Sequence, residues 1–446
     1  MSSIEQFGYK EELKRALTTR DLLVYGMIFM VPIAPFSIFG FVSNDAKGMV
    51  ALAYLVGMFG MFFTAMSYAA MSEAFPVAGS VYSYVQRGVH EIAGFVSGWL
   101  ILLDYILVPS LLYIVSAVAL HPLVPEVPSW IWMLGFIGFN AVVNLMGVQF
   151  TAKANLWLLG FELIVLAIFV VTGLVALYSG QGAGHLTMKP LYNPDVFNLA
   201  TVVGATSIAV LSFLGFDGIS TLSEESKGGP KAIGRVTLLS LLMVGVLFLL
   251  QTWIAADLAQ GMTFKMPDSA FYEISRMAGG VWLERIVLIS VVISAGIANA
   301  MAAQAAVSRI LFAMARDGKL PMILAKVHPR YQTPYVSTIL VSAISVAAGL
   351  YFLRNLEDLS RLVNFGALCS FLFLHVAVVN HYFVRQRSGD WLRHLVSPLL
   401  GFIVIGYVLY EMDQRAKIMG LCWLAMGAVY YLVITRVMKK AVALEI

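Results

Sequence analysis

Long apolar runs recur along the whole chain, separated by short polar gaps, with a length that suits a membrane better than a soluble core. A bilayer interior of ~30 Å calls for about 20 apolar residues per helical span. Twelve such runs can be laid out, over residues 22–42, 48–73, 92–120, 129–149, 154–178, 199–222, 235–256, 282–311, 335–353, 359–384, 394–411 and 416–437. Several are longer than a straight span needs, which predicts tilt or extension into water. The gaps are short and hold most of the Pro and charge, so no soluble domain fits between the runs. The first twenty residues are polar and charged, and the apolar run after them has no small-residue cleavage pattern. That predicts a retained helix rather than a removed signal peptide.

Composition hardens this picture. Of the 446 residues, 60% are hydrophobic and only 12% are charged, against about 25% charged for a soluble domain. So little charge cannot cover a water-facing surface, which excludes soluble enzymes, nucleic-acid modules and disordered scaffolds. The net charge of +4 is small; its placement is informative. Lys10, Lys14, Arg15, Arg20, Arg87, Lys153, Lys227, Lys231, Arg235, Arg309, Arg316, Lys319, Lys326, Arg330, Arg385, Arg387, Arg393, Arg436, Lys439 and Lys440 all fall on one side of a twelve-span layout. Positive charge marks the cytoplasmic side, so both termini are predicted to be cytoplasmic. Cys369 and Cys422 sit in apolar runs and read as inert thiols. His375, His381 and His394 have no ligand spacing, and no metal site, nucleophile elbow or phosphate loop is present; neither an enzyme nor a cofactor is expected.

Two runs contain a predicted break. The first reads Tyr25-Gly-Met-Ile-Phe-Met-Val-Pro32-Ile-Ala-Pro35-Phe-Ser-Ile-Phe-Gly40, and its two mid-span prolines remove two backbone donors. The sixth reads Leu211-Ser-Phe-Leu-Gly215-Phe-Asp217-Gly218, two glycines around an acid. Unwound backbone at membrane depth is tolerated where it lines a cavity or is buried in protein. These runs open successive units of five, 1–5 and 6–10, with 11 and 12 appended. Interruptions at matching places in two halves point to a transporter site at the repeat interface. A pair of simple packing kinks is the plainer alternative.

Three stretches carry a family likeness. Phe75-Pro-Val-Ala-Gly79-Ser-Val-Tyr82-Ser-Tyr84, followed by Gly94-Phe-Val-Ser-Gly98-Trp99, is one. Ser308-Arg309-Ile-Leu-Phe-Ala-Met-Ala-Arg316-Asp317-Gly318-Lys-Leu-Pro321, running on to His328-Pro329-Arg330-Tyr-Gln-Thr-Pro334, is the second. Gly215-Phe-Asp217-Gly218 with Ser223-Glu224-Glu225-Ser-Lys227 is the third. Together they resemble signatures of the amino acid–polyamine–organocation (APC) superfamily, and the whole length fits without large insertions. The resemblance implies an all-α integral membrane protein with 12 transmembrane helices and the LeuT-type 5+5 inverted repeat. The division would be a cytoplasmic segment 1–21, repeats 22–178 and 199–384, helices 11 and 12 over 394–437, and a tail 438–446. It also implies secondary transport in a bacterial inner membrane, with membrane lipids and a small amine or amino acid as partners, and neither nucleic acid nor an obligate protein partner. Leu103-Asp104-Tyr105 and Asn364-Phe365-Gly366-Ala367-Leu368 are most similar to bacterial putrescine importers.

The chain departs from amino-acid permeases of that superfamily at the first break. Those carry a Gly-x-Gly turn whose free amides hold the substrate carboxylate, by the physics of a helix-terminus anion site. Here the stretch is Val31-Pro32-Ile33-Ala34-Pro35, which supplies few amides but has carbonyls to offer. That favours a cation such as putrescine or a related polyamine; a proton-coupled amino acid permease or exchanger is the alternative.

A charged group at the bilayer centre costs roughly 2.5–3.5 kcal/mol, so buried acids are functional candidates by default. Asp217 follows the second break, where it can contact substrate or cap the helix. Glu162 lies about 14 Å up the fifth helix from Lys153, at 1.5 Å per residue. Related amino-acid permeases often have a lysine there, and an acid in its place suits proton coupling or direct pairing with an ammonium. Asp104 and Tyr105 are neighbours on the third helix and cannot share one face; the likeness to the putrescine importers favours Asp104. The expected substrate site is thus Pro32, Ile33, Ala34, Pro35, Asp104, Phe213, Gly215, Phe216 and Asp217, the two phenylalanines as cation–π partners. Glu162 and Asp217 are the expected proton-coupling acids, with sodium left open as coupling ion. Asn140, Asn144, Asn299 and Gln304 read as polar glue between helices, and Glu73, Glu224 and Glu225 as cap or gate acids.

Overall fold

A computed structural model of the chain describes residues 17–76, 80–147, 152–262, 264, 266–316, 320–433 and 435. Most of the expected N-terminal segment, the 438–446 tail and the motif positions Val77, Ala78, Gly79, Asp317, Gly318 and Lys319 lie outside the described residues. In chain order the helices are α1 (Thr19–Met30), α2 (Pro35–Asp45), α3 (Val50–Ala74), α4 (Ser80–Gly88), α5 (Glu91–Leu120), α6 (Ser129–Leu145), α7 (Ala152–Tyr178), α8 (Leu199–Ala209), α9 (Gly229–Leu258), α10 (Ala270–Gly279), α11 (Val281–Val291), α12 (Ala300–Arg316), α13 (Tyr335–Phe352), α14 (Leu356–Val378), α15 (Ser397–Glu411) and α16 (Gln414–Leu432).

Among the described residues nine helical segments are long and apolar enough to cross a membrane, and α1 with α2, bent by 51° at their break, make a tenth. α6 is shorter, at 17 residues, and α16, which opens on Gln414, Arg415 and Lys417, is not among the ten. Ten of the twelve expected runs therefore meet the requirement outright. The membrane solvent shows on α7, where Trp157, Ile164, Val171 and Val175 form an exposed stripe at helical spacing. An all-apolar exposed stripe is what lipid, not water, selects.

Both breaks form as the sequence predicts. α1 stops at Met30; Val31 follows at φ 50°, where its amide donates to Ile28 O at 3.1 Å. A β-branched residue is strained at positive φ, and Pro32 next to it can offer no compensating amide. Ala34 N donates to Val31 O at 2.8 Å, and Pro35 restarts the chain as the first residue of α2, where its missing N–H costs nothing. In the second break α8 tightens to a 3₁₀ turn over Val210–Phe213, Leu214 is extended, Gly215 takes φ +112°, and a 3₁₀ helix runs over Phe216–Glu225. The two breaks touch: a Cβ on Gly215 would stand 2.5 Å from Phe29 O, and one on Gly218 would meet the Phe29 ring at 3.1 Å.

Buried side-chain amides from outside hold these breaks. Gln251 of α9 donates to Pro32 O at 2.9 Å. Asn364 of α14 donates to Ser207 O at 2.6 Å, near the carbonyls that the tightening of α8 leaves short of partners. A parallel bridge pairs Leu17 with Ser226, and Lys227 N donates to Leu17 O at 2.9 Å, so the entry to α1 is tied to the far side of the second break.

Around this pair α5 is the most enclosed span. The small residues of its motif have a packing reason: a Cβ on Gly94 would sit 2.5 Å from Gln86 Cβ, and one on Gly98 would sit 2.7 Å from the Tyr82 ring, so α4 can lie directly on α5. Trp99 and Trp423 each donate an indole N–H to the other's backbone carbonyl, at 2.9 and 2.8 Å, with rings stacked at 4.8 Å. That clasp fastens α16 to α5. Polar glue is present as expected, with Asn140 donating to Gly296 O and Asn144 to Gln304 Oε1, both at 2.8 Å. His375 is likewise structural, hydrogen-bonded to Ser67 and Thr64 of α3. A π-helical stretch over Val292–Asn299 joins α11 to α12. The apolar periodicity gave no sign of it, nor of the short amphipathic helices α4 and α10.

Candidate substrate site

Where the two breaks meet, a cavity of about 170 Å³ opens between α1–α2, α5, the α8 break and the α11–α12 segment. Ile33, Ala34, Asp104, Gly215 and Asp217 of the expected site line it. The other predicted residues stand behind the wall, for identifiable reasons. Pro32 and Pro35 are buried in the turn itself, and Pro32 O is occupied by Gln251. Phe213 turns into an aromatic cluster with Tyr54 and Phe248. Phe216 packs against Tyr68 and Phe371. Both rings are 0% exposed, so they build the frame of the site and do not face a solute. Glu162 is also buried behind the lining, with Oε2 lacking a hydrogen-bond partner. Its side-chain neighbour is Ser294 of the π-helical stretch, whose Oγ is likewise unbonded and which lines the cavity.

Asp217 is the better hydrogen-bonded of the two acids that line the cavity. Its Oδ2 accepts a hydrogen bond from Tyr105 Oη at 2.7 Å, and its Oδ1 accepts one from Gly215 N at 3.3 Å. It therefore both caps the break and presents a carboxylate to the cavity. Asp104 lines the same cavity, is 4% exposed, and its Oδ1 has no partner. Tyr105 lines it as well; two adjacent positions on α5 border the space because the cavity covers a broad face of that helix, with Val108, Leu111, Leu112 and Val115 also in its wall. Asn299, expected as glue between helices, faces the cavity too, as do Ser37 and Ser294. Among the described lining residues Asp104 and Asp217 are the only acids, and Lys, Arg and His are absent. The rest is mainly apolar. Of the five residues at the first break, two lack an N–H and the amides of Val31 and Ala34 are bonded within the turn, which leaves little to cradle a carboxylate.

Tyr105 gives a direct check on this geometry. Tyr105→Phe removes the hydroxyl that steadies Asp217, and a hydrogen bond to a charged group contributes about 1.5–3 kcal/mol. Uptake at low substrate should fall by roughly 10- to 100-fold, with membrane expression unchanged; wild-type uptake in this variant would show that the bond has no part in the site.

Two interrupted spans meeting at an acid-lined cavity are the arrangement expected of a transport site. The chain belongs to the amino acid permease family, whose profile matches residues 21–412. It is 31% identical to the low-affinity putrescine importer PlaP of Escherichia coli (strain K12) over 441 residues, covering 97% of this chain and 96% of that one. It is 25% identical to the branched-chain amino acid permease BcaP of Bacillus subtilis, covering 97% of this chain and 95% of that one. The methylthioribose transporter of the same organism is also 25% identical, with 96% and 94% covered. The chain is thus a multi-pass amino acid/polyamine permease of the APC superfamily, with the LeuT-type fold of that class.

Proposed function

We propose that this permease imports a small organic cation, putrescine or a related diamine, across a bacterial inner membrane, with both termini cytoplasmic and a proton as coupling ion. The observation that carries the reading is the charge of the cavity: two carboxylates and no basic side chain among its described lining residues. An ammonium entering there meets Asp217 and Asp104, and the mainly apolar walls strengthen that attraction by excluding water. The similarity to the putrescine importer supports the same substrate class. Repeats over 22–178 and 199–384 would rock against each other around this midplane site, with no cofactor required. Glu162, one shell behind Ser294, is the proposed proton carrier, since it is a buried acid with an unbonded oxygen next to a hydroxyl on the cavity wall.

The similarity to the branched-chain amino acid permease favours a second reading, proton-coupled amino acid import or exchange. The test is uptake of labelled putrescine into proteoliposomes under an imposed pH gradient, with and without sodium. Concentrative uptake abolished by a protonophore, competed by diamines and not by branched-chain amino acids, is the expected result. Competition by amino acids alone would sink the amine reading. Within the same assay, Glu162→Gln should take up substrate downhill but lose its response to the pH gradient. A normal response in that variant would remove Glu162 from the coupling mechanism.

A further inference from the structure

Part of the α12–α13 connection, residues 320–334, is a built platform that the transport site does not use. Leu324 anchors it as a buried side chain, and Ser337 Oγ donates to Leu324 O at 2.9 Å. Thr333 Oγ1 ties it to the end of α6, donating to Leu145 O at 2.9 Å. Between these anchors His328 N donates to Thr333 O at 2.8 Å, while His328 Nδ1 accepts from Arg330 N at 3.2 Å and Tyr331 N at 3.3 Å. A segment held at so many points does not point its side chains outward by accident of disorder.

The side chains that do point outward are of two kinds. Met322 is 60% and Ile323 55% exposed, and Val327 and Tyr331 are exposed beside them. Lys326 and Arg330 are exposed too, and among the described residues neither stands within salt-bridge distance of a carboxylate. The Arg330 guanidinium lies 5.5 Å from the centre of the Tyr331 ring. Apolar exposure continues onto the membrane wall at Met146, next to the Leu145 tie, and at Ile339 and Leu340 on the first turns of α13. Unpaired cations, an aromatic ring and apolar side chains together at the foot of a lipid-facing wall match the layering of a membrane interface.

We propose that this platform is a docking site for an anionic phospholipid. Its phosphate would be met by Lys326 and Arg330, and its first acyl carbons by Met322, Ile323 and Val327. A soluble polyanion would satisfy the two cations but not the three exposed apolar side chains. The orientation proposed above puts the site in the cytoplasmic leaflet, where anionic lipid is concentrated; the chemistry of the site does not depend on that orientation or on the transported substrate.

The test uses the purified full chain in nanodiscs of phosphatidylcholine alone or mixed with phosphatidylglycerol, followed by mass spectrometry of lipid retained after mild detergent extraction. Wild type should retain phosphatidylglycerol over phosphatidylcholine, and release it as salt rises. A basic residue near a charged bilayer contributes about 1 kcal/mol, so Lys326→Gln/Arg330→Gln should bind phosphatidylglycerol roughly 30-fold more weakly. Met322→Ser/Ile323→Ser should weaken retention of both lipids, and the charge-preserving Lys326→Arg/Arg330→Lys should retain phosphatidylglycerol as wild type does. Equal phosphatidylglycerol retention in the Gln pair and wild type, or its loss in the charge-preserving pair, would overturn the assignment. So would displacement by heparin with no effect of the Ser pair, which would mark a site for soluble polyanions.

Discussion

Asp217→Asn is expected to lower uptake by at least about 30-fold and up to several thousand-fold, with the protein still folded and in the membrane. The substitution separates charge from shape. Asparagine keeps an acceptor at the Oδ1 position, so Gly215 N, now donating at 3.3 Å, retains its partner and the break keeps its cap. At the other position the Tyr105 hydroxyl, now donating to Oδ2 at 2.7 Å, can turn and accept from the amide. What disappears is the negative charge facing the cavity. Removing one partner of a buried, hydrogen-bonded charge pair costs about 2–5 kcal/mol, and each 1.36 kcal/mol is tenfold. The measurement is the initial rate of labelled-amine uptake at matched expression, with thermal melting alongside. Wild-type uptake would mean that Asp217 is only a helix cap. Lost uptake with a large fall in melting temperature would assign the effect to folding instead.

Asp104 offers a contrast within the same cavity. Its Oδ1 has no partner, so Asp104→Asn disturbs no hydrogen bond there, and its effect on uptake should follow substrate charge more purely than that of Asp217. If the cavity binds a diamine, this variant should lose more affinity for the diamine than for a monoamine of equal length.

The parts of this fold legible in the sequence are those that composition or backbone chemistry dictates. Prolines at 32 and 35 and the glycine at 215 can be read as breaks because a missing amide and a positive φ are local properties. Asp104 and Asp217 can be read as cavity acids because charge in oil needs a reason. Side-chain direction inside an unwound segment is a different matter. Phe213 and Phe216 lie on either side of an extended Leu214 and a left-handed Gly215, so no helical periodicity predicts where their rings point, and both point into the frame. The amide clamps are invisible for another reason. Gln251 reaches Pro32 and Asn364 reaches Ser207 across 219 and 157 positions of sequence, and neither residue carries a local sign of its partner. The π-helical stretch that brings Ser294 and Asn299 to the cavity has an ordinary apolar composition. It becomes visible only once α5 and α6 pack against it, with Asn140 holding Gly296 O.

Gly215→Ala should be the most damaging small substitution in the site, for two independent reasons. At φ +112° a residue with a Cβ leaves the conformations it readily adopts, and such strain costs on the order of 1–3 kcal/mol. The added carbon would also stand 2.5 Å from Phe29 O and 2.8 Å from Phe29 C. These are backbone atoms of the last turn of α1, which cannot swing aside as a side chain would, and overpacking adds about 1–3 kcal/mol more. To relieve the clash the second break must move off the first, opening the cavity wall between Phe29 and Asp217. Uptake should fall to background, with a clear drop in melting temperature in mild detergent. Gly218→Ala is the internal control: φ there is not positive, and the nearest contact is the edge of the Phe29 ring at 3.1 Å, a side chain able to yield by a few tenths of an ångström. Its uptake should stay within about an order of magnitude of wild type, the scale of a core change near 1 kcal/mol. If Gly215→Ala instead transported and melted like wild type, the two breaks would not be in the contact that creates the cavity, and a site assembled from both would be untenable.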